Sequence, residues 1–452
     1  MQDPIHELYE NHVYPAMSHP LSDPAVSAVA ARIGGLRTAN PSKARILEIG
    51  CCSGHNLIPL AMRWPESEFT GIDLAEKSVK EATERAAAVG LTNVAFHAVD
   101  LRDFKPADGP FDFIIAHGFF SWVPDEVKAA LLDFCREHLS GSGIATISFN
   151  LECGWAARFP VIEKTRAIRQ AVGGDWISSL ETLRAVTEPD SPEIAIIDDM
   201  LAKGPAILAF DDFGPVNDPW PLDRFVHEAA IADLRWLGES DPAENIPSVL
   251  SDEVVNELAE NVREPLAFQM AADAAAGRTF RSGVLCRTAA PVAVQVHHGT
   301  IFDFSVRAGK APAELHDLEI WRAITAFAPA CVSMREVRAA LPDWNERELA
   351  GVVLDGITSG WILPRIEPQS YDPVPPEFPR LNGFRLLCAR EKLPLVDAWH
   401  QPCQFPENHY AVLAAMDGSR SRDGLAEFSK QHCPELAFGP WLRHLADRGM
   451  LS

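Results

Sequence analysis

The chain has 452 residues, of which 47% are hydrophobic and 23% are charged, and its formal net charge is −23. This length predicts two to four domains, and the acidic balance argues against a protein that binds nucleic acid through its phosphates. Of the nine cysteines, Cys51 and Cys52 are adjacent and the others are scattered, and no two of them form a CxxC pair. We therefore expect the protein to work in a reducing compartment and to have no metal site. The polar start of the chain and the lack of an apolar run of about 20 residues predict a cytoplasmic protein without membrane insertion.

Residues 1–43 are predicted to form an N-terminal lid. The segment contains Tyr9, Tyr14 and Pro15, followed by a helical pattern from residue 24 to residue 36. Aromatic side chains so early in a chain need burial, so we expect the lid to pack over the mouth of a site. Tyr9 and Tyr14 are then candidates to close over a bound cofactor or to contact the substrate. Simple packing of these side chains is the alternative.

A strand, a glycine turn and a helix follow one another after the lid. Residues 44–49 form a short apolar run typical of a buried parallel strand, and Gly50 and Gly54 then allow a sharp turn into the helix. A second strand, over residues 68–72, ends just before Asp73. A carboxylate at this position can accept hydrogen bonds from a ribose bound over the glycine turn. The ligand is therefore predicted to be an adenosine compound.

The composition of the turn narrows the choice of adenosine compound. The run from Gly50 to Gly54 contains two glycines, whereas a dinucleotide fingerprint contains three. The acid Glu48, just before the turn, suits a cationic ligand better than a pyrophosphate. This combination resembles motif I of class I S-adenosylmethionine-dependent methyltransferases. A glycine turn that binds nothing is the alternative.

The resemblance implies that the chain binds S-adenosyl-L-methionine and releases S-adenosyl-L-homocysteine. The family usually has glycine where Cys52 stands, at the closest approach of the backbone to the cofactor. We therefore expect the Cβ and the sulfur of Cys52 to narrow the site and to weaken binding. The residues implied to bind the cofactor are Glu48, Gly50, Cys52, Gly54, Asn56, Asp73, Leu74, Asp100, Leu101 and His117.

Strands and helices alternate over residues 44–155, the predicted first part of the methyltransferase core. This order predicts a Rossmann-like, doubly wound α/β sheet, whose ligands lie at the carboxyl ends of the strands. Asp100 and Leu101 follow the third strand, where we expect the adenine. His117 follows the fourth strand and Asn150 ends the fifth. The predicted strands are 44–49, 68–72, 94–98, 111–116 and 143–149, and the predicted helices are 55–62, 75–89 and 125–138.

Three further stretches point to one family. Residues 115–124, 148–155 and 278–286 resemble bacterial methyltransferases that carry a methyltransferase regulatory domain. That family includes the rickettsial-type protein lysine methyltransferases. The resemblance therefore implies methyl transfer to the lysine of a protein.

Two segments are predicted to complete the methyltransferase part of the chain. Residues 156–215 read as helices and loops that form a cap over the substrate. In residues 216–309, the regulatory segment, we expect a sixth strand over 234–237 and an antiparallel seventh over 280–287. The regulatory segment would then complete a seven-stranded sheet and would not form an independent sensor.

Two winged-helix-like α+β modules are predicted after residue 309. Residues 310–370 contain three helical stretches followed by a strand of a hairpin, and residues 371–452 begin with a Pro-rich linker and continue with helices. The third helical stretch, residues 346–359, is not basic enough to read DNA, so no nucleic-acid partner is expected. We expect the modules to dock a polypeptide or to contact a second copy, and the size of the chain is compatible with a homodimer.

The predicted chemistry is an in-line displacement at a sulfonium methyl group, for which alignment and desolvation are the main tasks. A lysine amine must be neutral to react, and His117 and Tyr14 are the candidates to accept its proton. Asn150 is the candidate to orient the amine or the sulfonium. An aromatic wall that stabilises the nascent cation is predicted from Phe119, Phe120, Trp122 and Trp155.

Three functions are compatible with the sequence. The favoured one is an N-methyltransferase that acts on lysine in a protein or peptide. The second is a small-molecule methyltransferase of a biosynthetic pathway, with the acceptor enclosed by the helical cap. The third is a non-catalytic regulator that binds S-adenosylmethionine. We retain this alternative because Cys52 stands where the family usually has glycine.

Overall fold

The computed structural model of the protein describes residues 14–369 and 371–452, so Tyr9 lies outside the described residues. Its centre is a seven-stranded sheet in the order β3-β2-β1-β4-β5-β7-β6, in which β7 runs antiparallel to both neighbours. The predicted Rossmann-like fold is thus confirmed, including the antiparallel seventh strand. The strands are β1 (Arg45–Ile49), β2 (Glu68–Asp73), β3 (Val94–Ala98), β4 (Phe111–Ala116), β5 (Leu139–Asn150), β6 (Leu234–Glu239) and β7 (Phe280–Arg287).

Helices cover both faces of the sheet, which explains why β1 reads as an apolar run. Leu47 faces one core, whereas its neighbour Ile46 faces the other. Residues from α4 and α8 pack on the Leu47 side, and residues from α1 and α2 pack on the Ile46 side. The helices of this part of the chain are α1 (Pro24–Ile33), α2 (Leu57–Arg63), α3 (Glu76–Ala88) and α4 (Asp125–His138), and α8 (Leu222–Ile231) follows the insertion described next.

A helical insertion follows β5 and has a small core of its own. It consists of α5 (Glu152–Val172), α6 (Trp176–Val186) and α7 (Glu193–Ala202), followed by the short turns Pro205–Ile207 and Leu208–Asp212. The sequence predicted helices and loops only from residue 156 onward. In the structure α5 already begins at Glu152, because the helix accommodates Pro160 in its interior.

Two helices, α9 (Asp252–Asn261) and α10 (Pro265–Ala276), lie between β6 and β7 in the chain, and a buried charge network joins the two strands to α10. The Arg281 guanidinium of β7 has no exposed surface. It donates from Nε to Asp273 Oδ2 of α10 at 2.8 Å and from Nη1 to Glu239 Oε1 of β6 at 2.6 Å. The buried arginine therefore links the last two strands of the sheet to α10.

The first C-terminal module differs from the predicted hairpin. Ile362–Arg365 pairs antiparallel with Ser305–Ala308, a strand that precedes the three helices, and Val332–Ser333 pairs with the same strand. Pairing with an earlier strand needs a long-range contact that no local turn pattern shows. Its elements are β8 (Ser305–Ala308), α11 (Glu319–Thr325), β9 (Val332–Ser333), α12 (Met334–Ala340), α13 (Glu346–Thr358) and β10 (Ile362–Arg365).

The second C-terminal module packs directly on the methyltransferase core. Leu381 and Phe384 share one buried cluster with Ile58 of α2 and Ala86 of α3. The winged-helix character of both modules and the six domain boundaries stay predictions. The elements of this module are α14 (Gly383–Glu391), β11 (Leu395–Val396), β12 (Pro402–Cys403), α15 (His409–Ala414), α16 (Arg422–His432) and α17 (Phe438–Asp447).

Across the described residues, none of the helices combines the length and the apolar character that crossing a membrane requires.

Replacing Arg281 by alanine should lower the free energy of unfolding by about 3–5 kcal/mol, because the two carboxylates would stay buried without their cation. Urea denaturation measures this loss. The matched control is Arg166→Ala, which removes an exposed ion pair with Glu163 and should leave the midpoint near the wild-type value. An Arg281→Ala midpoint equal to that of the control would contradict the structural role of the network.

Candidate active site

A cavity of about 500 Å³ opens where the strands of the sheet end. Residues at or just beyond the carboxyl ends of β1 to β5 line it, as expected for a doubly wound sheet. The N-terminal segment, the helical insertion and the start of β7 complete its wall. The predicted cofactor residues that line it are Glu48, Gly50, Cys52, Asn56, Asp73, Leu74, Asp100, Leu101 and His117.

The turn after β1 has a backbone that favours glycine. Gly50, Cys52 and Gly54 all have positive φ values, of 77°, 46° and 74°. Gly54 is not among the lining residues, because it packs behind the turn, where an added Cβ would lie 3.0 Å from both Ala82 and Phe96. Cys52 adopts the left-handed conformation at a cost, and its side chain takes up space at the cavity wall.

Asp73, at the end of β2, holds the turn in place. Its Oδ2 accepts a hydrogen bond from the backbone N–H of Cys52 at 2.8 Å, and its Oδ1 accepts one from Ala75 N–H at 2.9 Å. Burial raises the pKa of the Asp73 carboxyl, although these hydrogen bonds oppose the rise. Each carboxylate oxygen keeps further lone pairs that can face a ligand.

Glu48 is a buried acid with half of its carboxyl group unpartnered. Its Oε1 accepts from Asn56 Nδ2 at 2.6 Å, whereas its Oε2 has no hydrogen-bond partner among the described residues. Burial raises the pKa of Glu48 to about 8. A cationic group placed in the cavity would stabilise its ionised form.

The second C-terminal module reaches this end of the cavity through His400. Burial lowers the pKa of His400 to about 3, so its ring is neutral. Its Nε2 lies 2.7 Å from Asn56 Oδ1, an acceptor, so Nε2 carries the hydrogen. His55, just after the glycine turn, similarly contacts the carbonyl of Pro394 at 2.8 Å through Nε2. The module is therefore part of the support of the cavity wall.

The residues after β3 form a more open part of the wall. Asp100 pairs with the Arg102 guanidinium through both of its oxygens, at 2.9 and 2.6 Å, and this pair lowers the pKa of Asp100. Leu101 is buried and Leu74 is 41% exposed, so the two leucines offer apolar surface to a ring.

His117, at the end of β4, stacks on His19 with ring centroids 4.1 Å apart. Burial lowers the pKa of His19 to about 4 and that of His117 well below its usual value. Both rings are therefore neutral at physiological pH. His117 Nδ1 is buried and has no hydrogen-bond partner among the described residues.

Part of the cavity wall is aromatic. Phe119, Trp122 and Trp155 line it, as the sequence predicts, together with Asn150. Asn150 Nδ2 donates to Asn217 Oδ1 at 2.9 Å, which holds the amide in place.

The placement of Phe120 in the aromatic wall is wrong. Phe120 is fully buried and packs edge-on against Trp220 and Phe225 in the main core. Phe119 and Phe120 are neighbours in the chain, so their residue types could not show which of them faces the cavity.

Tyr14 also lines the cavity, and its hydroxyl lies 3.5 Å from Asp211 Oδ1. Asp211 and Lys203, both from the helical insertion, and Phe280 of β7 also line the cavity, and the sequence analysis missed them. No motif marks Asp211 or Lys203, and Phe280 lies in the stretch 278–286, from which no site residue was predicted. Their position depends on how the insertion and β7 fold back over the sheet.

Two family models match the chain. Residues 46–143 match a methyltransferase domain, and residues 204–287 match a predicted methyltransferase regulatory domain. The first match covers β1 to β4 and the start of β5, and the second covers the end of the insertion, β6 and β7. Both matched segments therefore contribute strands to the central sheet.

The chain is similar to proteins of several bacteria. It is 26% identical over 315 residues to an uncharacterized protein of Rickettsia prowazekii, a match that covers 67% of this chain and 56% of that relative. It is 27% identical over 143 residues to the trans-aconitate 2-methyltransferase of an Azoarcus species, covering 32% of this chain and 50% of that enzyme. This chain thus spans only about half of the length of these relatives.

Among solved structures, PKMT2 from Rickettsia typhi in complex with AdoHcy has the same fold. It superposes with a TM-score of 0.80, and the match covers 97% of this chain and 99% of that chain at 17% sequence identity. The likeness extends over both C-terminal modules.

The cavity fits S-adenosyl-L-methionine, the cofactor of this domain family. The unpartnered Glu48 Oε2 suits the cationic amino group of the ligand, and Asp73 lies beyond the glycine turn, where a ribose can bind. The apolar surfaces of Leu74 and Leu101 suit the adenine. Cys52 occupies space beside these groups without filling the cavity.

The affinity for S-adenosyl-L-methionine should rise as the pH increases from 6 to 7.5. Glu48 is protonated below about pH 8, and a bound cation requires its ionised form, so binding releases a proton. Isothermal titration calorimetry over this pH range should show an increase of up to about tenfold per pH unit. The variant Glu48→Gln should bind more weakly with a flatter pH profile; equal slopes for both proteins would contradict this assignment.

The variant His400→Leu should weaken binding of S-adenosyl-L-homocysteine by roughly tenfold, because Asn56 loses a buried hydrogen bond and is then less well positioned. The affinity is measured by calorimetry on samples whose thermal unfolding shows an intact fold. His432→Leu, an exposed histidine of the same module, is the matched control. Equal affinities for the two variants would show that His400 does not position Asn56.

Proposed function

We propose that this chain, which carries the methyltransferase and methyltransferase regulatory domains, transfers a methyl group from S-adenosyl-L-methionine to a lysine side chain of a protein or peptide. The observation that carries the proposal is the continuity of the cavity. Glu48 and Gly50, predicted to hold the donor, line the same cavity as Trp122, Asn150 and Trp155, predicted to face the acceptor. Donor and acceptor can therefore meet in one space that limits contact with water.

The first of these two groups of residues is proposed to hold the cofactor. Glu48, positioned by Asn56, would bind its amino group, and Asp73 its ribose. When bound, S-adenosyl-L-methionine supplies an electrophilic methyl group next to a positively charged sulfur. Since the displacement is in-line, the contribution of the protein is to hold this group and the acceptor in a fixed relative orientation.

The second group, together with His117 and Tyr14, is proposed to prepare the acceptor. A lysine ammonium, with a pKa of about 10.4 in water, must lose a proton before it can react. Neutral His117, with its unpartnered Nδ1, and Tyr14 are the candidate proton acceptors. The indole rings of Trp122 and Trp155 would stabilise the cation that forms, and Asn150 would orient the amine.

The choice of a protein lysine as acceptor rests on family resemblance more than on geometry. The motifs around His117 and Asn150 resemble the family of the rickettsial-type protein lysine methyltransferases, and PKMT2 of Rickettsia typhi shares the fold along the whole chain. The match to the trans-aconitate 2-methyltransferase covers only 32% of this chain. It therefore supports methyl transfer but gives little support to a small-molecule acceptor.

The test is transfer of a labelled methyl group from S-adenosyl-L-methionine to denatured, lysine-rich polypeptides, compared with a set of small amines and carboxylic acids. We expect label on polypeptide lysines, located by mass spectrometry. The variant Asp73→Ala should lower cofactor affinity by at least about tenfold, because both the turn and the ribose lose an acceptor. Asp103→Ala, an exposed acid near the same edge, is the control. Label on small molecules alone would overturn the choice of lysine.

The variant Cys52→Gly separates an enzyme from a non-catalytic binding protein. Glycine tolerates the positive φ at this position and removes the Cβ and the sulfur from the wall. If the wild-type chain is an enzyme, the variant should change cofactor affinity by only a few fold and should keep the labelling activity. Activity that is absent in the wild type and present in Cys52→Gly would show that the natural chain only binds the cofactor.

A further inference from the structure

We propose that the carboxylate of Asp211 is the group that binds the acceptor as a cationic amine and excludes neutral acceptors of the same size. This inference deepens the proposed function and rests on it. Asp211 lies in the turn Leu208–Asp212 at the end of the helical insertion, and its side chain lines the cavity.

Among the described residues, Asp211 has no ion-pair partner. The hydrogen bond that its carboxylate accepts from a side chain comes from the Tyr14 hydroxyl, at the long distance of 3.5 Å. Tyr14 itself lines the cavity and packs edge-on against Phe210, with ring centroids 5.2 Å apart. The partly buried carboxylate therefore faces a space in which a ligand can bind.

The neighbouring acid Asp212, in the same turn, differs from Asp211 because it forms ion pairs. Asp212 is buried and accepts from Arg158 Nη2 at 3.2 Å and from Lys203 Nζ at 2.8 Å. Arg158 also donates to Asp199 at 2.8 Å. The two cations near the turn are thus engaged by Asp212 and Asp199, and neither forms an ion pair with Asp211.

The charge balance around Asp211 favours the binding of a cation. The charged groups that act on it are Lys203, Arg158 and Asp212, and its hydrogen-bond partner is Tyr14. Despite the two cations, burial raises the pKa of Asp211 to about 6. The carboxylate is ionised at neutral pH but is poorly solvated, so an ammonium group beside it would replace lost hydration.

The aromatic surroundings suit the rest of such a ligand. Trp122 and Trp155 meet at 83° with ring centroids 6.3 Å apart, and both line the cavity with Phe119. Apolar rings and the Asp211 carboxylate in one cavity match the alkyl stem and the charged head of a primary amine. A neutral alcohol of the same length would fill the same space but would leave the Asp211 charge uncompensated.

The experiment uses n-butylamine, a cation at neutral pH, and 1-butanol, which is neutral and of the same size. Binding of each to the full-length protein saturated with S-adenosyl-L-homocysteine is measured by ligand-observed NMR. We expect a preference for the amine, and we expect Asp211→Asn to weaken amine binding by roughly tenfold while binding of the alcohol stays unchanged. Amine binding to the wild type should also decrease as the pH falls below about 6 and Asp211 becomes protonated.

The control variant is Asp198→Asn, an exposed carboxylate of α7 that pairs with Arg184. Thermal unfolding and S-adenosyl-L-homocysteine affinity, measured on the same samples, show whether each variant is folded. Equal amine affinity in Asp211→Asn and Asp198→Asn, or no preference of the wild type for the amine, would overturn the proposal. Failure of the wild type to bind S-adenosyl-L-homocysteine would instead overturn the proposed function.

Discussion

The hydrogen bonds of one buried amide, that of Asn56, connect three distant parts of the chain. Its Nδ2 donates to Glu48 Oε1 of β1 at 2.6 Å and to Ser22 Oγ of the N-terminal segment at 2.9 Å. Its Oδ1 accepts from the backbone N–H of His19 at 2.8 Å and lies 2.7 Å from His400 Nε2. Because a buried amide left without partners costs free energy, these segments stabilise one another at the edge of the cavity.

A second buried group extends the same connection. The Asp23 carboxylate, which caps α1, accepts from Arg63 of α2 at 2.7 Å and from Arg365 of β10 at 2.8 Å. These two cations hold the pKa of Asp23 well below its usual value although the group is buried. Both C-terminal modules are thus attached to the methyltransferase core through polar contacts near the site. A role limited to gripping a distant substrate does not explain these contacts.

The acids around the cavity differ in how their charge is compensated. Asp23 and Asp212 have cationic partners, whereas Glu48 and Asp211 have none among the described residues, and burial raises the pKa of both. Glu48 and Asp211 both line the cavity, Glu48 from β1 and Asp211 from the helical insertion. Unpaired acids at two separate positions of one cavity fit the binding of two cationic groups, one on each ligand.

The local sequence determined the strands, the glycine turn and the residues at the strand ends. Strands buried on both faces read as apolar runs, and parallel strands bring their carboxyl ends to one edge of the sheet. For this reason Glu48, Asp73 and Asn150 could be placed beside one another from their positions alone. Periodicity and turn residues are local properties that act over a few positions of the chain.

Only the tertiary structure decided which side chains of neighbouring residues face the cavity and which distant residues join it. Phe120 points into the core while Phe119 lines the wall, and Gly54 supports the turn from behind. His400 contacts Asn56 across 344 positions of the chain, and Asp211 enters the site from an insertion. Such contacts depend on the packing of whole segments against one another, which no single stretch of sequence encodes.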